Sequence, residues 1–494
     1  MKNYLVRLSL LLCVALLFSA STDLFAQSST RYSAEVENKI KQVEDRLAGP
    51  ILVEGQPGYT LAGRMAYYKV HGLSIAVVHD YKIEWAKGYG WADSSEKRPV
   101  TTQTLFQAAS ISKSLHAVGV LKLVQDHKLD PYADINDYLT TWKFPYDSVS
   151  KNKKISVAHL LSHTAGLNVH GFPGYEMGQS LPTVPQILDG KKPANTSAVR
   201  SMFEPGLRSE YSGGGTTISQ LIVMDITHQA YDQYMWEQVL KPMDMTGSSY
   251  TQPAPPDKRL LLATGYRANG AEIKGKYHVY PEDAPAGLWT NPTDLCKYII
   301  ETQLSYEGRS AKVLSQQTTR LRLTPYMNPA AALGVFIDTK GETKYFQHGG
   351  ANEGFRCQYY GSLQGGDGLV IMVNSDDGRI IQEIMNSIAI VYNWKGFYTP
   401  EHKKIASLSS LQLKAFEGKY QLQGGKTAYI QISATDDHIV LKQLWDGKQI
   451  DLFPESDLEF FNKDTPFPLK FTKAQDGAIT AATVFNRDVW NKVE

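Results

Sequence analysis

Ser110, Ile111, Ser112 and Lys113 form an S-x-x-K tetrad, with a hydroxyl and an amine three residues apart. On a helix, residues at that spacing share a face, so the two groups can meet. Such a pair lets the amine take the proton of the serine, turning a poor nucleophile into a usable one. The tetrad alone is weakly specific, because Ser94/Lys97, Ser148/Lys151 and Ser150/Lys153 have the same spacing. Only Ser110 opens a regular apolar series (Ile111, Leu115, Val118, Leu121) at helical spacing. Only Ser110 is followed by two companion motifs, Tyr211-Ser212-Gly213 (after Phe203-Glu204-Pro205-Gly206) and His348-Gly349-Gly350, the latter ending a strand-like run. A lone serine at a helix start is ordinarily a cap; the companions reverse that reading. His159 and His163 stand four apart, a metal-compatible spacing. The intervening Leu160-Leu161-Ser162 lacks the glutamate of a zinc peptidase motif, so no metal is expected and His163 is read as a structural hydrogen bonder.

The elements that must position these residues follow from periodicity. Val36, Ile40, Val43 and Leu47 predict a helix stopped by Gly49-Pro50, and a short helix follows over 61–68. Segments 73–79 and 82–90 read as a hairpin turning at Asp80-Tyr81. The Ser110 helix runs to about His127. From 131 to 245 helical pieces alternate with Gly/Pro loops, and the long loop over 166–185 reads as a functional rim. Strand-like runs return at 333–339, 344–347, 355–360 and 368–374. Asp377 is placed to cap a last helix turning Ile380, Ile384, Ile388 and Val391 inward. After about Lys404, Asp436-Asp437, Asp446-Gly447 and Asp476-Gly477 punctuate short β-type runs such as 428–432 and 439–444. Some 90 residues of this kind suit a small antiparallel barrel or sandwich that covers or gates the substrate site.

A chain of 494 residues exceeds one ordinary domain and points to two or three. Lys2 and Arg7, the apolar run over 8–18 and Leu24-Phe25-Ala26 have the layout of a secretory signal cleaved after Ala26. That run of about 11 residues is well short of the ~20 that span a bilayer. The net charge of +1 falls to zero once Lys2, Arg7 and Asp23 are removed, so no overall field draws nucleic acid or anionic membrane. Of the three cysteines, Cys13 lies in the apolar run, and Cys296 and Cys357 read as two buried free thiols.

Taken in order, the three motifs resemble those of the serine β-lactamase and penicillin-binding peptidase superfamily, in its class C-like branch of β-lactamases, D-stereospecific peptidases and esterases. Residues 73–78, 160–167 and 286–290 also look like family segments, and the resemblance covers 70–391. It implies an α+β fold, an antiparallel sheet flanked by helices with a helical subdomain, over 27–400 after a signal peptide at 1–26. A C-terminal antiparallel β-barrel domain would occupy 405–494. It implies Ser110 as the acylated nucleophile, Lys113 as its base and Tyr211 as a second proton carrier. Since free tyrosine and lysine both titrate near ~10, one must be shifted to act at neutral pH. The oxyanion would be held by the backbone N–H of Ser110 and of Ala351, and Gly349 and Gly350 would let a substrate backbone approach. Two residues depart from the pattern. Gly213 stands where many relatives carry Asn, and His348 where typical lactamases carry a lysine that meets the substrate carboxylate. A mostly neutral imidazole binds a carboxylate weakly, so His348 is expected to set charge preference and to disfavour β-lactams. The implied protein is a secreted or periplasmic serine hydrolase of peptide or small ester substrates, without cofactor. A receptor-like module that acylates without turnover, and a true β-lactamase, are the alternatives.

Overall fold

Asp80 and Tyr81 both take positive φ (50° and 60°), the geometry of a two-residue hairpin turn. They join β1 (Gly72–His79) to β2 (Lys82–Asp93) in a computed structural model that describes residues 32–424 and 427–494. The signal expected at 1–26 lies outside these residues. Residues up to Lys41 form one unit, holding the first turns of a helix over Ala34–Asp45, and Gln42–Glu494 form the other. The helix ends at Asp45, short of the sequence expectation. Leu47 instead exchanges both backbone hydrogen bonds with Tyr59, at 2.8 and 3.0 Å.

The main sheet adds β3 (Arg98–Pro99), β4 (Phe336–Lys340), β5 (Thr343–Asn352), β6 (Phe355–Ser362) and β7 (Gly368–Val373). Its seven strands run β3-β2-β1-β7-β6-β5-β4, and every pairing is antiparallel. β1 up to Val78 and all of β7 are buried, as strands covered on both faces must be. Helix α3 (Pro292–Glu307) packs on β1, β2, β6 and β7, and shares the main core with Val370, Met372, Cys357 and Tyr359. Arg356 and Gln358, alternating with these, point to the opposite face, which α4 (Arg379–Val391) covers. Ile380, Ile384 and Ile388 of α4 are buried and Val391 only half so; Gly378 is the cap residue, while Asp377 accepts from the Arg379 N–H at 3.1 Å.

β5 is longer than the strand-like run of 344–347. The two glycines look like strand breakers, yet pairing with β6 continues through Gly349↔Gln358 and Gly350↔Cys357 to Asn352↔Phe355. The third motif therefore lies inside a strand. β4 pairs with β5 only from Thr343 to Gln347, so His348 to Asn352 have one strand neighbour and an open edge. That edge borders the candidate site.

Helix α1 (Ser112–Gln125) is buried on all sides from Ser112 to Leu121, where the sequence had suggested a one-sided apolar stripe. It packs against α2 (Gly213–Thr227), whose N-cap Ser212 accepts from the Gly215 N–H at 3.0 Å. Cys296 and Cys357 are both buried and unpaired.

The C-terminal segment is an eight-stranded closed antiparallel barrel of β8 (Gly418–Leu422), β9 (Tyr429–Ala434), β10 (Ile439–Gln443), β11 (Gln449–Pro454), β12 (Glu459–Phe461), β13 (Leu469–Lys473), β14 (Ile479–Val484) and β15 (Asp488–Lys492). Alternate residues such as Ile430 and Ile432 fill it, with Phe416, Phe460 and Phe471 packed at centroid distances of 4.4 to 5.5 Å. Asp464 of the barrel accepts from Arg64 at 2.9 Å, and Arg64 also donates to Glu383 of α4 at 2.7 Å. Before the barrel, the strand Glu401–Lys403 pairs in parallel with Ile51–Val53.

Candidate active site

Ser110 sits in a 3₁₀ turn (Ala109–Ile111) that leads into α1. Ala109, just before it, holds φ 48°, a left-handed conformation that costs an L-residue roughly 1–2 kcal/mol. The strain is retained because the turn is clamped from both sides. Leu288 donates its N–H to Ser112 Oγ at 3.0 Å, and β5 presses against Ala108. At Gly350 a Cβ would fall 2.3 Å from the Ala108 carbonyl and 2.5 Å from Cys357 Sγ. Glycine at 350 is thus required by the chain's own turn, a reason additional to substrate approach.

Lys113 is the second residue of α1, 3% exposed, and its Nζ donates to Ser110 Oγ at 3.0 Å and to the Pro285 carbonyl at 2.8 Å. Among the described residues no carboxylate pairs with it. Burial penalises the ammonium form, and the pKa is pushed down to about 7. The amine lies 5.0 Å from the centre of the Tyr211 ring. Burial raises the Tyr211 pKa, an effect partly offset by the Ser110 hydroxyl, so the phenol keeps its proton at neutral pH. Of the two groups expected to titrate near 10, lysine is the one shifted to neutrality. Tyr211 Oη is buried without a well-formed hydrogen bond to any protein atom among the described residues.

His163 packs tilted against Tyr211 at 4.2 Å between ring centres, and its Nδ1 accepts from the Ser212 N–H at 3.3 Å. Burial, Lys113 and His348 hold it well below the usual imidazole range, so it is neutral. His159 is turned elsewhere, its Nδ1 accepting from the Ser156 N–H at 3.0 Å in a capping box. Both histidines therefore bind backbone amides. Gly213 is explained by the long loop: a Cβ there would fall 2.8 Å from Phe172 Cε2, so the Phe172 ring occupies the space an amide side chain would need.

His348 is 4% exposed. Its Nδ1 lies 2.6 Å from the Gly349 carbonyl, which assigns the proton to Nδ1 and leaves Nε2 an acceptor with no partner among the described residues. Burial and then Lys113 push its pKa down to about 3, so it carries no charge. A cleft of about 590 Å³ brings Ser110, Tyr211, His348, Gly349, Gly350 and Ala351 together. It continues past Arg356 and Gln358 to Ile381, Gln382 and Met385 of α4. Gly213 and Lys113 lie behind this lining rather than in it. The sequence reading did not single out Pro285, Phe172, Arg356 or the α4 wall. Ser212 carried only a weak cap signal, because Gly213 to Thr217 separate it from the apolar run that opens at Ile218.

A central antiparallel sheet, an S-x-x-K pair with a buried lysine at the start of a core helix and an open strand edge beside it make up the candidate site. The Beta-lactamase family model matches residues 60–384, and the chain belongs to that family. It is 24% identical over 342 residues to Protein flp of Staphylococcus aureus (strain N315), covering 67% of this chain and 65% of the relative, so it spans just under two thirds of that relative's length. It is 21% identical over 424 residues to Penicillin-binding protein 4* of Bacillus subtilis (strain 168), covering 80% and 89%. Among solved structures, the octameric penicillin-binding protein homologue of Pyrococcus abyssi superposes with a TM-score of 0.60 at 19% identity, over 87% of this chain and 98% of that one. The D-amino acid amidase of Ochrobactrum anthropi SV3 superposes at 0.56 and 20% identity, over 73% and 99%. These likenesses show the fold, and no helix among the described residues is long and apolar enough to cross a membrane.

Proposed function

We propose that this chain is a secreted or periplasmic serine hydrolase that cleaves amide or ester bonds through an acyl-enzyme on Ser110. The observation that carries the reading is the buried Lys113 amine, 3.0 Å from Ser110 Oγ and without an acidic counter-ion among the described residues. In the uncharged form Lys113 takes the Ser110 proton as Oγ attacks the carbonyl carbon. The oxyanion is met by the N–H groups of Ser110 and Ala351, across the cleft the two residues share. Tyr211, a protonated phenol beside Lys113, passes a proton to the leaving group and is restored by the lysinium. Water then attacks the acyl-enzyme by the same route in reverse. Peptides with a D-residue or cell-wall fragments are the preferred substrate class, with small esters next. The solved D-amino acid amidase of the same fold supports this order, and the uncharged His348 sets β-lactams last. Assay of the purified protein on p-nitrophenyl esters, D-amino-acid amides and a chromogenic cephalosporin tests it; turnover of none of them overturns it. Phe172 beside Gly213 favours one second reading, a receptor that acylates but hydrolyses slowly, because no amide side chain reaches the lysine there. A stoichiometric burst without a steady state marks that receptor.

The acylation rate should follow the neutral fraction of Lys113. With its pKa lowered to about 7, that fraction grows as pH rises. Below pH ~7, kcat/KM should climb about tenfold per pH unit and then level off. A profile flat from pH 5 to 8 would remove Lys113 as the base.

The division into catalytic and barrel domains near residue 404 is likewise a proposal. A chain ending at Lys404 keeps the Ile51–Val53 pairing with Glu401–Lys403 and the Arg64–Glu383 hydrogen bond, and loses the Asp464 contact. It should still be labelled by a fluorophosphonate at Ser110, with a lowered Tm or an altered substrate range. Native circular dichroism without labelling would show that the barrel contributes to the site.

A further inference from the structure

Lys113 lies between two acceptors, and the second, the Pro285 carbonyl, belongs to a single helical turn, Asp283–Ala286. A turn that short does not hold itself in place. It is gripped from α2. Gln220, buried there, accepts from the Ala284 N–H through Oε1 at 2.9 Å, and its Nε2 donates to Asp283 Oδ2 at 3.4 Å. Both ends of one carboxamide therefore fix the turn that carries Pro285. The residue before it holds the helix of the amine. Ser219 Oγ lies 2.9 Å from Nε2 of His116, which stands three residues beyond Lys113 on α1. The Tyr231 hydroxyl meets the other ring nitrogen of His116 at 2.9 Å, and the Tyr250 hydroxyl donates to the Ser112 carbonyl at 2.7 Å. Two adjacent residues of α2 thus hold Lys113 and its acceptor against each other. Apolar side chains would fill this contact with less desolvation, but only hydrogen bonds fix direction as well as distance.

The surroundings make the amine sensitive to that carbonyl. Tyr211, His163, His348 and His116 face Lys113, and none is charged at pH 7; burial and then Lys113 push His116 down to about 3. Burial also pushes up the carboxyls of Glu282 and Asp283 beside the Pro285 turn, Glu282 to about 8, so both are protonated at pH 7. The ammonium form of Lys113 is therefore supported by dipoles alone among the described residues, the Pro285 carbonyl at 2.8 Å being one. The neutral amine, giving one N–H to that carbonyl, has its lone pair free to face Ser110.

We propose that Gln220 is a positioning residue for proton transfer, holding the Pro285 carbonyl on Lys113 so that the amine is aimed at Ser110 Oγ. The proposal deepens the hydrolase reading and rests on it. It adds a residue of α2 that lies outside all three motifs.

The test follows fluorophosphonate labelling of Ser110 in the full chain from pH 5 to 8. Gln220→Met keeps the side-chain length and removes both hydrogen bonds. Its labelling rate at pH 8 should fall about 10- to 100-fold, the scale of a small misplacement of a reacting group. Its acid limb, read below pH 7.5, should move about 0.5 to 1 pH unit to lower pH, because a buried ammonium that loses an acceptor is disfavoured further. Gln220→Glu should restore most of both, since a buried carboxyl that keeps its proton accepts from Ala284 and donates to Asp283. If Gln220→Met does not fold, Gln220→Asn, one methylene short of the turn, is read in the same way. The limb decides. A limb that stays in place or moves to higher pH overturns the proposal, whatever the rate and Tm do, and marks Gln220 as packing. Absence of labelling in wild type would defeat the hydrolase reading separately. A carbon-13 titration of Lys113 Cε in wild type and Gln220→Met then still decides Gln220, an unmoved midpoint being the result that overturns it.

Discussion

Ser110→Ala is expected to abolish turnover and covalent labelling while leaving Tm nearly unchanged. The substitution removes one half-buried hydroxyl, which accepts from Lys113. The amine keeps its second acceptor, the Pro285 carbonyl, and with its pKa lowered to about 7 it is no more than half charged at pH 7 and above, so the loss of one neutral acceptor is tolerated. A surface-type change of this kind costs about 0.5 kcal/mol or less. Activity behaves differently, because without Oγ there is no bond to form with the substrate carbonyl. A fluorophosphonate should label wild type on Ser110 alone, located by mass spectrometry of the peptide. Labelling of the alanine variant at the wild-type level would sink the assignment, since Ser94, Ser148 and Ser150 also precede lysines at the same spacing.

Lys113→Ala and Tyr211→Phe should each slow acylation by roughly two to four orders of magnitude, the scale of losing general acid–base help. Their stabilities should diverge. Tyr211→Phe removes a buried hydroxyl that has no well-formed partner, so its Tm should hold or rise slightly. Lys113→Ala leaves a cavity and an unpaired Pro285 carbonyl, and should lower Tm. The double variant should lose much less activity than the product of the single losses, because the amine and the phenol, 5.0 Å apart by ring centre, handle the same proton. Independent multiplicative losses would argue against a shared relay. A Tyr211→Phe variant that loses stability along with activity would assign the Tyr211 hydroxyl a structural role instead.

Much of the site was legible before any fold was known. The meeting of Ser110 with Lys113 needs only helical geometry, because residues three apart face the same way. The structure meets that requirement even though the serine sits in a 3₁₀ turn. The hairpin at Asp80-Tyr81 and the strand β7 follow from local alternation and turn chemistry. The same holds for the barrel, where buried and exposed residues alternate along β9 and Gly447 and Gly477 hold φ of 75° and 88° in its turns. Each of these is decided within a window of a few residues.

What only the tertiary structure decided depends on segments far apart in the chain. Lys113 is a base near neutral pH because it is desolvated and meets a carbonyl 172 residues away. No local pattern encodes that burial. Gly349 and Gly350 break the strand pattern in sequence, and they stay in β5 because β6 pairs with them and Ala108 presses against position 350. Ala109 takes a left-handed conformation that its own type disfavours, held by contacts to the turn from β5 and Leu288. The missing amide at Gly213 has its cause in Phe172, on a loop that sequence could place only as a rim. Arg356 reads in the sequence as one cation in a strand; the alternation of β6 turns it towards α4, and two backbone carbonyls accept from its Nη1. Periodicity and spacing specify which groups can meet, whereas desolvation and packing across the sheet set their charge and the space around them.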